Sequence, residues 1–251
     1  MASYYRVRAF PGFAYTILTL VLLAGCAGSP RRFDPIPAGD PTVVLDRLAE
    51  RAVDGVGAKA FASLKMNAAG RRDSFSARFL LDTHGRIRID VLSPFGTAAY
   101  SIFADGREAT VIDRVRSTYW KGQSSSLGAL VPLFATGLTS SDIGRLLLGF
   151  LPSGVTEGAD PNEILTSGGA RARYEMASQG LASVSLASVG SMSLLFRYLP
   201  AVFPPSRILV MGGVGPSSFE LEIRYLELEP WNGQLTAPEL RGLTCCHLPG
   251  G

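Results

Sequence analysis

Near its C-terminal end the chain reads "SSFELEIRYLELE", residues 217–229. Phe219, Leu221, Ile223 and Tyr225 fall on one face of this stretch, and Glu220, Glu222 and Arg224 fall on the other. A period of two is the pattern of a strand with one side in a core and the other in water. The same period returns in "AKAFASLKM", where Ala60, Ala62, Leu64 and Met66 align, and in "SFSARFLLD", where Phe75, Ala77, Phe79 and Leu81 align. "RIRIDVL" sets Arg86, Arg88 and Asp90 against Ile87, Ile89 and Val91. "TAAYSIFADG" and "EATVIDR" follow, the first closed by an Asp105-Gly106 turn. Five strands with tight turns predict an antiparallel meander. Further strands are expected in "ARYEM", "LASVSLASV", "MSLLFRYL" and "SRILVMG". A content of 28 Gly and 16 Pro suits many short strands better than a helix bundle.

Two stretches break the pattern. "DPTVVLDRLAERAVDGV" starts with Asp40 as N-cap and Pro41 at the first helical position, and Val44, Leu45, Leu48, Ala52 and Val56 recur at helical spacing. "TSSDIGRLLLGFLP" predicts a short apolar helix with Ser or Thr caps, Asp142 in its first turn and Pro152 as a stop. The expected fold is mainly β, an antiparallel sheet with two accessory helices. There is no compositional break between Thr42 and Leu235, so residues 42–235 read as one domain, followed by an unassigned tail over 236–251.

The N-terminus reads as an address. Met1 to Arg8 carries Arg6, Arg8 and no acid, and Phe10 to Gly25 is almost wholly apolar, so residues 1–25 read as a secretory signal peptide. The competing reading is a transmembrane helix, which needs about 20 apolar residues; Pro11 and Gly12 shorten this run. Leu23-Ala24-Gly25-Cys26 resembles the lipobox of bacterial lipoproteins, in which the thiol is lipidated and the signal is cut before it. The resemblance makes Cys26 the acylated first residue of the mature chain. Several acyl chains on one residue exceed the single-chain threshold for stable attachment. Ala27, where Asp would signal inner-membrane retention, places the expected anchor in the outer membrane. Residues 26–41 then form the lipidated end and a Pro-rich tether.

The order of signal, lipobox, tether, amphipathic helix, strands, apolar helix and more strands resembles the LolB-like outer-membrane lipoproteins, of the LolA/LolB lipoprotein-localisation fold. "RIRIDVLSPFGTAAYSIF" is similar to that family's strand, short loop and strand, "DIGRLLLGFLP" to its lid helix, and "FPPSRILV" with "SFELEIRYLELEPW" to its closing hairpin. The stretch from Ser167 to Gly190 and the Cys-bearing tail depart from the family pattern. The resemblance implies an open, incomplete antiparallel β-barrel covered by the N-terminal amphipathic helix and the apolar lid helix. It also implies a function: receiving lipoproteins from a periplasmic carrier, holding their acyl chains in the half-barrel and inserting them into the outer membrane. Pro94, Phe95 and Gly96 match the protruding loop whose apolar tip meets membrane lipid; the plain alternative is a hairpin loop whose Phe folds back on the core. Phe79, Ile87, Ile89, Val91, Tyr100, Ile102, Phe219, Leu221 and Ile223 are the acyl-cavity candidates. Core packing suits each equally, because alternation does not tell a filled barrel from a hollow one. Leu146, Leu147 and Phe150 are the lid candidates.

Signatures of catalysis are missing. His84 sits in a predicted turn and His247 in the tail, neither with a nucleophile or an orienting carboxylate in view. There is no Gly-x-Ser-x-Gly, no P-loop and no His-Glu-x-x-His, so the chain reads as a binding protein and not an enzyme. Cys245-Cys246-His247 lacks the spaced pairs of a zinc site, and neighbouring cysteines bond to each other only through a distorted peptide. No metal or cofactor is expected, and the chain reads as a monomer. With 24 basic and 21 acidic residues the charge is nearly balanced, which speaks against a nucleic-acid partner. The rival function is a scaffolding or envelope-assembly lipoprotein that uses the same fold to hold a protein partner.

Overall fold

Inward small and apolar residues alternating with outward polar ones produce a single antiparallel ladder. The computed structural model describes residues 32–53, 57–106, 108–123, 132–134, 138–156, 160, 162–166, 169–187, 193–214, 217–238 and 243–245. Its first half runs β1 (Ala58–Ala68), β2 (Arg71–Leu81), β3 (Ile87–Leu92), β4 (Ala98–Asp105), β5 (Glu108–Asp113) and β6 (Thr118–Gln123). The second half runs β7 (Gly154–Thr156), β8 (Glu163–Thr166), β9 (Arg171–Ala177), β10 (Gly180–Ala187), β11 (Ser193–Leu199), β12 (Arg207–Val214) and β13 (Ser217–Pro230). A two-residue β14 (Thr244–Cys245) pairs in parallel with β6. The order is β14-β6-β5-β4-β3-β2-β1-β13-β12-β11-β10-β9-β8-β7, so β13 returns to close on β1 and join two meanders into one 14-stranded sheet. β14 and β7 form its two edges, and the barrel stays open.

Two helices lie against the sheet. Helix α1 (Pro41–Val53) starts where the sequence places it, with the Asp40 carboxylate accepting the Thr42 N–H at 2.9 Å. It buries Val44, Leu48 and Ala52 against β9 and β10. Helix α2 (Ser140–Leu148) carries a full capping box between Thr139 and Asp142 and ends on Gly149 in the left-handed conformation. Residue 144 is glycine inside this helix, where a Cβ would stand 2.5 Å from a Leu81 methyl; the bare Cα lets the helix lie close on β2.

The position of α2 also demonstrates curvature. It touches β3 and β4, while its Leu146 carbonyl accepts the Tyr198 hydroxyl of β11 at 3.0 Å. Strands β4 and β11 are six places apart in the sheet, roughly 29 Å if it were flat at about 4.8 Å per strand. A helix of 9 residues is only about 13.5 Å long. The sheet therefore wraps around it. Nearly all the buried apolar side chains form one cluster, with Ile112 and Leu235 outside it.

Three expectations need correction. Residues 32–40, the last part of the expected tether, lie on the body: Ile36 is buried, Phe33 meets Phe203 edge-on at 6.0 Å, and the Gly39 N–H donates to the Ser178 carbonyl at 2.9 Å. Isolated apolar residues among prolines have no period to reveal them. Thr244 and Cys245 of the expected tail are likewise engaged, as β14, and Leu235, at the end of the expected domain, is buried with its N–H donating to Asp82. Finally, β6, β7, β8 and β14 were absent from the expected strands. Cys26, Cys246 and His247 lie outside the described residues.

Candidate functional site

The first-half meander lays its inward residues in rows across the sheet. One row is Leu81, Ile87, Ala104 and Ala109; the next is Phe79, Ile89, Ile102, Val111 and Trp120; a third is Val91, Tyr100, Asp113 and Thr118. Helix α2 covers the first row, where only a gap of about 20 Å³ remains between Ile87, Gly144, Leu147 and Leu148. Beyond it no described α-helix covers the inner face. The second and third rows line a hollow of about 490 Å³, completed by Leu64, Met66 and Phe75 and by Phe219, Leu221 and Ile223 of β13. Leu133, in a 3-10 turn at Pro132–Phe134, closes part of it. Phe79 faces both spaces, and its edge contact with Tyr225 (ring centres 6.3 Å apart) makes the partition between them.

Of the nine acyl-cavity candidates, the structure brings eight into this hollow: Phe79, Ile89, Val91, Tyr100, Ile102, Phe219, Leu221 and Ile223. Ile87 does not reach it and packs beneath α2. The lid candidates lie elsewhere too. Leu146, Leu147 and Phe150 are buried and none lines the hollow; the Phe150 ring meets Phe203 at a 55° tilt with centres 4.8 Å apart. Helix α2 plugs the end of the barrel and does not roof the hollow. Sequence reading missed Val111, Trp120, Tyr119 and Leu133. The aromatic pair in "STYWKGQ" was the available pointer to Tyr119 and Trp120, and the alternation of "EATVIDR" to Val111.

The rim is sparsely polar. Asp113 and Arg116 approach at 3.9 Å, a long contact whose arginine is largely exposed and which carries little energetic weight. Tyr119 sits beside Cys245, whose thiol raises the phenol above its ordinary value through a hydrogen bond and a charge interaction. Among the described residues no cluster of three His, Cys, Asp or Glu is placed to hold a metal ion. His84 stands in the β2–β3 turn, where its N–H donates to Asp82 at 3.0 Å.

Pro94, Phe95 and Gly96 form the β3–β4 connection, just beyond Val91 and Tyr100 on the hollow's rim. Ser93 and Thr97 close it through the Ser93 N–H to the Thr97 carbonyl (2.8 Å) and a 2.8 Å contact between their hydroxyls. Gly96 takes a φ of 78°, which the turn requires and a side chain would resist. Phe95 is 92% exposed. It does not fold back onto the core; a short, internally bonded loop holds it out in solvent.

The second half of the sheet is filled. Phe196, Tyr198, Ile208 and Val210 are buried on the inner face together with α1 and Phe150. A larger depression of about 1230 Å³ exists there, but exposed residues such as Arg171, Arg173, Ser185 and Ser193 make up much of its wall. Its arginines face Glu163 at 3.8 and 3.5 Å. It is a surface concavity with its charges already matched, so the apolar hollow is the candidate site.

No family model matches the chain, and no curated protein matches it. Among solved structures it is similar to a LolA-superfamily protein from Nitrosomonas europaea, at 12% identity and a TM-score of 0.46, over 76% of this chain and 94% of the other. It is similar to a DUF1329 family protein from Desulfovibrio piger, at 13% identity and a TM-score of 0.46, over 78% and 96%. A Vibrio parahaemolyticus domain described in terms of outer-membrane lipoprotein sorting aligns at 9% identity and a TM-score of 0.46, over 77% and 93%.

Proposed function

We propose that this chain is a lipid-anchored envelope protein that takes acyl chains into the hollow of its open barrel and passes them to the outer membrane. The observation that carries the reading is the hollow itself: about 490 Å³ of space on the inner face, walled among the described residues mainly by aliphatic and aromatic side chains. That volume lies in the range of about 300–1,000 Å³ typical of small-molecule sites. Its wall is aliphatic and aromatic, so it would hold a chain through burial alone, at roughly 0.8 kcal/mol per methylene. With charges confined to the rim, a polar head would remain outside. The resemblance of "RIRIDVLSPFGTAAYSIF" and "DIGRLLLGFLP" to the LolB-like pattern makes the acyl chains of lipoproteins, delivered by a periplasmic carrier, the proposed cargo. Binding and release would suffice, without an enzymatic step.

The test is binding of a dansyl-labelled undecanoic acid to the purified chain. Saturable, blue-shifted emission that palmitate displaces is expected. No saturable binding, with only a protein partner recovered, would favour scaffolding and remove this reading. Delivery is tested separately: Phe95→Glu should leave probe binding unchanged and reduce transfer of acylated cargo to vesicles at least tenfold. Anchoring through Cys26 predicts that the wild-type chain incorporates a labelled fatty acid and that Cys26→Ser does not. Equal labelling of the two would refute that part.

A further inference from the structure

Phe95 is not the sole apolar side chain held out at its end of the sheet. Val115, in the turn between β5 and β6, is 72% exposed, and Tyr100 is 41% exposed. Single exposed apolar residues are ordinary on a protein surface. These three are clustered. Tyr100 pairs with Val91 and with Asp113, so the β3–β4 loop and the β5–β6 turn lie at the same end of the same meander. Two strand spacings separate their centres, about 10 Å. The Arg114 N–H donates to the Ala99 carbonyl at 2.9 Å, which ties one connection to the base of the other.

Val115 owes its exposure to a built turn. The Asp113 carboxylate accepts the N–H groups of Val115 and Arg116, each at 3.0 Å. This folds the acid's charge inward, under the turn, while Arg114, Val115 and Arg116 all remain exposed. The β1–β2 turn, on the other side of the β3–β4 loop, adds exposed Arg71 and Arg72, with Asp73 next in the chain and Glu220 two strands away. Among the described residues Arg71, Arg72 and Arg114 have no ion-pair partner, and Arg116 has only the 3.9 Å contact with Asp113.

We propose that the Arg114-Val115-Arg116 turn is a second bilayer contact beside Phe95, and that it seats this end of the barrel on an anionic lipid surface. Apolar tips that enter the interface between arginines that meet anionic headgroups are the chemistry of peripheral membrane attachment. The seating has a geometric consequence. The rim row of Val91, Tyr100, Asp113 and Thr118 lies directly behind these two tips, so the hollow opens toward the docked bilayer. An acyl chain could then pass between hollow and membrane with little exposure to water. The purpose assigned to the surface rests on the proposed acyl-transfer role, but the docking does not.

The experiment uses the chain from position 26 onward, without the apolar leader, with Cys26→Ser, Cys245→Ser and Cys246→Ser, and an NBD fluorophore attached through Val115→Cys. It is mixed with vesicles of phosphatidylcholine alone or with phosphatidylglycerol, some containing spin-labelled lipid. Expected are a blue shift and spin-label quenching with the anionic vesicles, at least threefold weaker with neutral ones. A control label at Leu226→Cys, exposed in the middle of β13, should stay in water. Arg114→Gln with Arg116→Gln should lower the docked fraction markedly, since each arginine near an anionic surface is worth roughly a fivefold gain in partitioning. The proposal is overturned if the label at 115 stays wet on both membranes or responds equally to both. It is also overturned if the label shifts without vesicles as protein concentration rises, which would assign the surface to a second copy. The dansyl-acid titration without vesicles reads the hollow alone, so failure of one reading is distinguishable from failure of the other.

Discussion

Asp82 is a buried carboxylate just after β2 that ties distant parts of the chain together. It accepts the N–H groups of His84 (3.0 Å), Arg86 (3.0 Å) and Leu235 (3.1 Å), and Arg86 also reaches it through Nε and Nη2, both at 2.7 Å. Burial pushes its pKa up, but the Leu235 and Arg86 hydrogen bonds and the guanidinium charge outweigh that, and the net value is lowered. A folded-state pKa below the unfolded one, near 3.9, stabilises the protein above that value and loses the contribution as pH falls through the folded pKa. Asp82→Ala should therefore cost about 3 kcal/mol in urea unfolding at pH 7, with the wild-type advantage shrinking below about pH 4. An equal difference at pH 7 and pH 3 would contradict this account. Nothing in the sequence singles Asp82 out, because one partner lies 153 residues away. Phe95 is the intermediate case: a Pro-Phe-Gly connection between two alternating strands is legible because turn chemistry is local, but whether its ring points out or folds back is not, and the structure places it out in solvent.

Helix α2 shows what an element needs beyond its own sequence. At 9 residues it is too short to persist alone. Its first turn is closed by Thr139 and Asp142, both visible in the sequence. Its last turn is held by partners that are not: Tyr198 Oη donates to the Leu146 carbonyl at 3.0 Å, and Tyr225 Oη to the Leu147 carbonyl at 2.6 Å. Burial raises both phenol pKa values, so both groups stay protonated donors. Tyr198→Phe and Tyr225→Phe should each cost about 1–2 kcal/mol by leaving a carbonyl unpaired, and should speed hydrogen exchange in α2. Because α2 lies outside the hollow, dansyl-acid affinity should change less than twofold; a large change would restore a lid role to this helix. Strands follow the same logic. The long alternating ones were legible, whereas β7, β8 and β14 span only 3, 4 and 2 residues. In β13 the pairing with β1 slips between Phe61 and Ala62, from Glu227 to Tyr225, which skips Leu226. That bulge leaves Leu226 exposed inside an otherwise regular alternation.

At the scale of the whole molecule, two meanders with the same inward pattern come to opposite ends: one is filled, the other hollow. Alternation was legible in both, but the filling was not, because it depends on where α1 and α2 settle. Helix α1 packs on β9 and β10, and α2 covers only the far row of β3 and β4. If the hollow is a site, a side chain large enough to occupy it should replace its ligand. Ile102 stands in the middle row, between Ile89 and Val111, and faces the open space. Ile102→Trp adds apolar volume where a packed core would resist it, an insertion that normally costs about 1–3 kcal/mol. With about 490 Å³ free, that strain has room to relax, and thermal stability should hold or rise. The same change should weaken dansyl-acid binding at least tenfold. Ligand at a hundred times its Kd should stabilise the wild-type fold by about 2.7 kcal/mol, and should leave the variant's melting temperature unmoved. Val91→Trp, nearer the rim, repeats the test should the first variant fold poorly. A variant that melts several degrees lower yet still takes up the probe would mean that the acyl chain binds elsewhere.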